Sequence, residues 1–206
     1  MRTNVYIDGF NLYYGTVKGT RDKWLNLEAL FTRLRPHDDV RAIYYFTALV
    51  SGPHRQSQMT YLRALETLPR VKIVLGHFKD KTVKCSVKEC CFDGDRRFKV
   101  PEEKRTDVQI AIAMVNHAWQ DDCDRYVLVS GDSDLVPAVN TVKMIAPDKK
   151  VALYIPARDN IRGAAVELRG ACDTHKILPN LLVRKSQFPP ELPDGSGGLI
   201  QKPSGW

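Results

Sequence analysis

The sequence predicts an α/β fold with a mainly parallel central sheet of about five strands. Three observations carry that reading. Short runs rich in β-branched and aromatic residues recur, such as Val5-Tyr6-Ile7, Ile43-Tyr44-Tyr45-Phe46 and Val71-Lys72-Ile73-Val74-Leu75. Between them lie segments whose apolar residues fall three and four apart, the spacing of one helix face. The two kinds of segment alternate, as right-handed βαβ crossovers require.

The first strand covers residues 4–7 and runs into Asp8-Gly9, a turn signal at its carboxyl end. A short helix over 12–15 is expected to break at Gly15 and Gly19. Asn26 suits the N-cap of a helix through Leu34, with Leu27, Leu30, Phe31 and Leu34 on one face and Pro36 beyond its end. The second strand spans 40–50. Ser51-Gly52-Pro53 then opens a helix that Pro69 stops before the third strand, 71–75. Thr106 is expected to cap a helix containing Val108, Ala111, Ile112 and Val115. The loop Asp121-Asp122-Cys123-Asp124 is expected to be solvated. A fourth strand, 126–130, leads into a helix over 133–145 with Pro137 in its first turn, where a missing N–H is tolerated. The fifth strand is 151–155. Residues 160–170 read as a helix broken by Gly163, and 176–178 as a last short strand.

Residues 1–183 are expected to form one domain, with a charged, cysteine-bearing insertion at about 76–101. Residues 184–206, rich in Pro and Gly with few apolar anchors, are expected to be a disordered tail. No apolar run approaches the ~18 residues of a membrane span. The N-terminal segment lacks the apolar stretch of a signal peptide, and five cysteines form no regular disulfide framework. A cytoplasmic protein is the expectation. The net charge of +7 and pI near 9.2 suit a polyanionic partner.

The stretch Val129-Ser130-Gly131-Asp132-Ser133-Asp134 places two carboxylates just past the fourth strand. In an open parallel sheet, ligands bind outside the carboxyl ends of the strands. Asp8 ends the first strand, and Asp107 sits in the first turn of a helix leading back to the fourth. Four carboxylates, Asp8, Asp107, Asp132 and Asp134, are thus expected on one rim. Their repulsion calls for a cation, and hard oxygen ligands suit Mg²⁺ or Mn²⁺. The chemistry that fits is metal-assisted hydrolysis of a phosphodiester. Asn11, Thr106, Ser130 and Ser133 are candidates to hold these ligands in place, and Lys104 and Arg105 to meet a phosphate. Each acid taken singly is as well explained as a helix-start or turn residue. Their convergence on one rim is what points to a site.

Tyr6-Ile7-Asp8-Gly9-Phe10-Asn11-Leu12, Lys104-Arg105-Thr106-Asp107-Val108 and Val129-Ser130-Gly131-Asp132-Ser133-Asp134-Leu135 together resemble the NYN domain family, and more narrowly its bacterial LabA-like branch. The resemblance runs from about residue 3 to 182. It implies a Rossmann-like, PIN-type three-layer sandwich and a metal-dependent ribonuclease acting on single-stranded RNA. Asp8, Asp107, Asp132 and Asp134 match the family's acidic site, and Asn11 its motif asparagine. Many relatives carry Gly or another small residue where Arg105 stands.

The insertion lies outside that resemblance. His77, Cys85, Cys90 and Cys91 form a candidate zinc set of one imidazole and three thiolates. Free thiols are the alternative, since no C-x₂-C knuckle is present. The same insertion offers Lys79, Lys81, Lys84, Lys88, Arg96, Arg97 and Lys99 as a basic arm for RNA or as a solvated charged loop. Two other functions compete with the nuclease. One is a catalytically silent RNA-binding or regulatory module of the same fold. The other is a haloacid-dehalogenase-like phosphatase, against which Phe10 stands where an acid/base Asp is needed. An exposed edge strand would permit a homodimer.

Overall fold

The computed structural model describes residues 1–158 and 166–206. Its centre is a six-stranded sheet: β1 (Arg2–Asp8), β2 (Asp39–Thr47), β3 (Val71–Leu75), β6 (Arg125–Val129), β7 (Lys150–Ile155) and β8 (Thr174–Ile177). Their order is β3-β2-β1-β6-β7-β8, and every neighbouring pair is parallel. The sheet has one strand more than the expected five: β8, where a short strand over 176–178 is expected, joins its edge and is exposed throughout.

Side chains alternate across the strands and fill two cores. Val5, Ile7, Ile43, Tyr45, Val127 and Val129 face α2 (Leu27–Leu34) and α3 (Arg55–Glu66), which supply Leu30, Phe31, Leu62 and Leu65. Tyr6, Tyr44, Phe46, Tyr126 and Leu128 face α4 (Thr106–Trp119) and α5 (Val136–Ile145), through Ile110, Met114, Val139 and Val142. A sheet buried on both faces explains why these strands read as continuous apolar runs. Asn26 caps α2 as expected, accepting from the Ala29 N–H at 2.8 Å.

Several expectations are corrected. The turn after β1 begins at once, as α1 (Gly9–Leu12), and continues through Gly15 as a π-helical turn, Tyr13–Val17. Gly15 is required there for contact, since a Cβ would stand 2.0 Å from the Pro156 carbonyl oxygen. Thr106 is not the cap of α4 but its first residue. Arg105 takes the cap position in the left-handed region, at φ 80°. The loop at 121–124 is pinned rather than freely solvated: Cys123 is fully buried and Asp124 is held by Arg2 at 2.6 Å. The helix expected over 160–170 survives as α6 (Val166–Ala171); its start and the break at Gly163 lie outside the described residues.

The segment expected to be a disordered tail is folded. After α7 (Asn180–Lys185), β9 (Glu191–Pro193) and β10 (Leu199–Gln201) pair antiparallel. Phe188, Leu192 and Ile200 are buried in the first core, and the Trp24 indole donates to the Pro189 carbonyl at 2.8 Å. A few apolar anchors set against Trp24 suffice to order a chain otherwise rich in turn residues. The insertion is an antiparallel hairpin off the sheet, β4 (His77–Lys84) with β5 (Arg97–Lys104), paired along eight residues on each strand.

Candidate active site

The site lies at the carboxyl ends of β1 and β6. Asp8 ends β1 and is 3% exposed. Its carboxylate accepts from the Asn11 N–H at 2.9 Å, from the Asn11 amide nitrogen at 2.5 Å and from the Ser130 hydroxyl at 3.1 Å. The Asn11 carbonyl oxygen in turn accepts from the Gly131 N–H at 3.1 Å, and Ser130 Oγ from the Asp132 N–H at 3.1 Å. Asp8, Asn11 and Ser130 therefore form a buried brace tying the turn after β1 to the loop after β6. Because that loop carries Asp132, the brace fixes where the outer acids stand.

Asp132 precedes a short 3₁₀ turn, Ser133–Leu135, and accepts from the Asp134 N–H at 2.9 Å. Asp107 points in from the first turn of α4. One carboxylate oxygen each from Asp107, Asp132 and Asp134 lie within 4.8 Å of one another. Asp8 is not in that trio. It stands behind it, close enough for its charge to act on Asp107. So the structure gathers three of the four expected ligands and gives the fourth a bracing position.

The electrostatics follow from the crowding. Burial and the charges of Asp8, Asp132, Glu103 and Asp134 raise the Asp107 carboxyl to about 6. Burial raises Asp8 too, although its hydrogen bonds from Asn11 and Ser130 oppose the shift. No Lys or Arg among the described residues forms an ion pair with any of the four aspartates. Three hard oxygen donors with an unmet need for positive charge fit a divalent cation of the Mg²⁺ or Mn²⁺ type.

Other expected residues are placed as follows. Thr106 is buried, and its hydroxyl and N–H both donate to Glu103. Ser133 opens the turn after Asp132. Lys104 is exposed and pairs with Glu102 at 3.1 Å; Arg105 is exposed beside it. Two residues of the site escape sequence reading. Glu103 adds charge to Asp107 and holds Thr106, and Tyr45 of β2 lies against the turn after Asp8. A Cβ on Gly9 would stand 3.0 Å from the Tyr45 hydroxyl.

The zinc set is not brought together. His77 pairs with Lys104 at the base of the hairpin, whereas Cys85 lies past its far end, opposite Arg96. Eight strand residues separate them by roughly 25 Å. Among the described residues no His/Cys cluster forms, and the cysteines are free.

Comparison with known proteins places these features in context. The family model described as "NYN domain" matches residues 2–178. A curated relative, the 6-hydroxy-3-succinoylpyridine 3-monooxygenase HspA of Pseudomonas putida, is 27% identical over 252 aligned positions, covering 98% of this chain and 78% of that protein. A crystal structure of a Vibrio parahaemolyticus protein of unknown function shares the fold, with a TM-score of 0.54 at 18% identity, covering 87% of this chain and 93% of that one.

Proposed function

The chain belongs to the NYN domain family, and on that premise we propose that it is a metal-dependent ribonuclease acting on single-stranded RNA. The observation that carries the reading is the trio of carboxylate oxygens within 4.8 Å at the rim, with Asp107 raised to about 6. Asp107, Asp132 and Asp134 would hold Mg²⁺ or Mn²⁺. Such an ion supplies Lewis acidity toward a phosphodiester oxygen and acidifies a water. The rest belongs to the chain. The Asp8–Asn11–Ser130 brace keeps Asp132 oriented before substrate arrives. Lys104 and Arg105, exposed beside Asp107, meet the incoming phosphates. The hairpin reaches the same rim: Phe78 meets Phe10 at 5.5 Å between ring centroids, and the face that carries Phe78 also carries Lys84, Lys99 and Arg97, with Asp80 and Glu103 among them. The three motifs favour the LabA-like branch. The exposed edge strand β8 is where we propose two copies pair; a monomer mass by light scattering would exclude this.

The test is labelled single-stranded RNA incubated with the full chain in Mn²⁺ or Mg²⁺. Cleavage is expected that EDTA and Asp132→Asn each abolish. Cleavage surviving both is contamination. Binding without cleavage makes the protein a silent module instead. The phosphatase reading loses its support with the family assignment.

A cavity beside the turn after Asp8, lined by Phe10, Tyr14, Tyr45, Tyr61 and Trp206 among others, favours a second reading, oxygenation of a small aromatic ring, the type of reaction the P. putida relative's name gives that protein. It requires consumption of O₂, with an added two-electron donor, when a hydroxypyridine is supplied, and no RNA cleavage. That reading assigns the acid trio no role, whereas the nuclease reading uses all three of its carboxylates.

No helix among the described residues is long and apolar enough to cross a membrane.

A further inference from the structure

Beside the turn that follows Asp8, on the β2 side, lies a cavity of about 190 Å³. Its walls include Phe10, Tyr14, Tyr45, Tyr61 and Trp206. These rings belong to distant parts of the chain: the turn after β1, strand β2, helix α3 and the folded segment after α7. Phe10 and Tyr14 have centroids 6.4 Å apart with their planes inclined by 25°, and Tyr61 and Trp206 approach to 5.7 Å. Tyr45 and Tyr61 are buried, so the floor is fixed by the core, while Tyr14 at the rim is half exposed.

The cavity and the acids are joined through one turn. Gly9 and Phe10, which line the cavity, are the two residues that follow Asp8. The missing side chain of Gly9 lets the Tyr45 ring pack against that turn, and the charge of Asp8 acts on its hydroxyl. A ligand filling the cavity therefore lies against the turn that Asp8 begins, on the β2 side of the rim. At about 190 Å³ the space is smaller than the ~300–1,000 Å³ of pockets for drug-sized molecules. It takes one planar ring system, not an extended ligand. Several aromatic faces favour a π-system over an aliphatic group. Polar groups at the mouth, Ser51 and His54, and the Tyr45 hydroxyl within give that ring's edge hydrogen-bonding partners.

We propose that this cavity is a nucleobase subsite, receiving one base whose phosphate then lies at the acidic rim. The proposal rests on the nuclease reading for the phosphate's position. Stacking on such rings is sequence-tolerant, because every base has a π-face. The base comes either from a strand or from a free nucleotide, and the two sources give different results below.

The experiment separates binding from cleavage. Full-length Asp132→Asn protein in EDTA is titrated with a short single-stranded RNA, with the same RNA made abasic at each position in turn, and with the four nucleoside monophosphates. One abasic position is expected to weaken binding about tenfold, and the others little. Ser51→Trp, which fills the mouth from an exposed position, is expected to erase that sensitivity. Tyr14→Ala, also at the surface, is expected to reduce it in a protein of unchanged circular dichroism. If the free nucleotide is the ligand, monophosphates shift the side-chain resonances of Trp206 and Tyr14 to saturation, and Ser51→Trp abolishes this. A flat abasic scan with no monophosphate binding overturns the subsite. So does a hydroxypyridine that fills the cavity when no base does. Wild-type cleavage is measured separately in Mn²⁺. Cleavage with a flat scan sinks the subsite alone, and a base-dependent scan without cleavage sinks the nuclease reading alone.

Discussion

The two ends of the central sheet use the same residue type to opposite effect. At the amino end Asp38, Asp121 and Asp124 each have a cation. Arg2 holds Asp124 at 2.6 Å, Lys149 reaches Asp121, and Asp38 lies between Arg35 and Arg125, each at 2.7 Å. Their partners hold Asp38, Asp121 and Asp124 below the usual carboxylate range. At the carboxyl end, Asp8, Asp107, Asp132 and Asp134 crowd together among the described residues without one ion pair, and Asp8 and Asp107 are pushed up. The first arrangement closes the sheet and leaves nothing for a ligand to satisfy. The second is stable only to the extent that something positive arrives, which is how a binding site differs from a structural charge network.

The sharpest way to test that contrast is at Asp107. Asp107→Asn removes a donor from the trio, and RNA cleavage is expected to fall at least about 100-fold, in line with losing one preorganised electrostatic contact. Metal-free stability is expected to move the other way. The folded-state value of Asp107, about 6, lies above its ordinary 3.8, so the folded protein binds more protons than the unfolded chain between those values. Stability contributed by this group is present below about pH 4 and is lost as pH rises through about 6. In EDTA at pH 7, Asp107→Asn is therefore expected to melt a few degrees above wild type, with the advantage vanishing by pH 4. Thermal melts across that range check it. A variant that melts lower at pH 7 would mean the acids are not in conflict.

The amino end makes the opposite prediction. Asp38→Ala leaves Arg35 and Arg125 facing each other with side chains 21% and 20% exposed. Removing one partner of a fully buried pair costs ~3–5 kcal/mol, so about 2–3 kcal/mol is expected at this partly screened site. That is a melting temperature about 5–10 °C lower, with cleavage per folded molecule unchanged. Because the Asp38 carboxyl is depressed, its contribution is present above the ordinary carboxylate range and is lost as pH falls through the depressed value. The gap between wild type and variant should narrow in acid, as in the Asp107 series but with the opposite sign: here the wild type is the more stable.

The amino acids themselves announce some of this and conceal the rest. Asp8, Asp132 and Asp134 are legible because each follows an unmistakable buried strand, and strand ends in a parallel sheet share a rim. Asp107 needs only one more step, the direction of α4. Glu103 and Tyr45 are hidden for different reasons. Glu103 reaches the site only through the register of the β4–β5 hairpin, which no periodicity specifies. Tyr45 is one aromatic among several in β2, and its role depends on Gly9 letting it approach. The zinc set fails because proximity in sequence becomes length when the chain is extended. The ordered segment after α7 fails the other way: Phe188, Leu192 and Ile200 look sparse until Trp24 is placed beneath them.

Arg105 is the position where local sequence and fold disagree most openly, and it gives the smallest effect. It joins the hairpin to α4 at φ 80°, a region that side chains with a Cβ enter at a cost of about 1–2 kcal/mol. A Gly here would remove that strain, against the greater freedom Gly gives the unfolded chain. Arg105→Gly is expected to stabilise the fold by about 0.5–1 kcal/mol, and Arg105→Ala to give none of this. If Arg105 also meets phosphate, both variants weaken RNA binding equally, by roughly threefold to tenfold at low salt, and reduce its salt dependence by about one phosphate contact. Denaturant melts of both variants measure the backbone effect, and salt titrations of RNA affinity measure the charge effect. Equal melting with equal binding would leave Arg105 with neither role, and the acidic rim would then draw its phosphate grip from Lys104 and the hairpin.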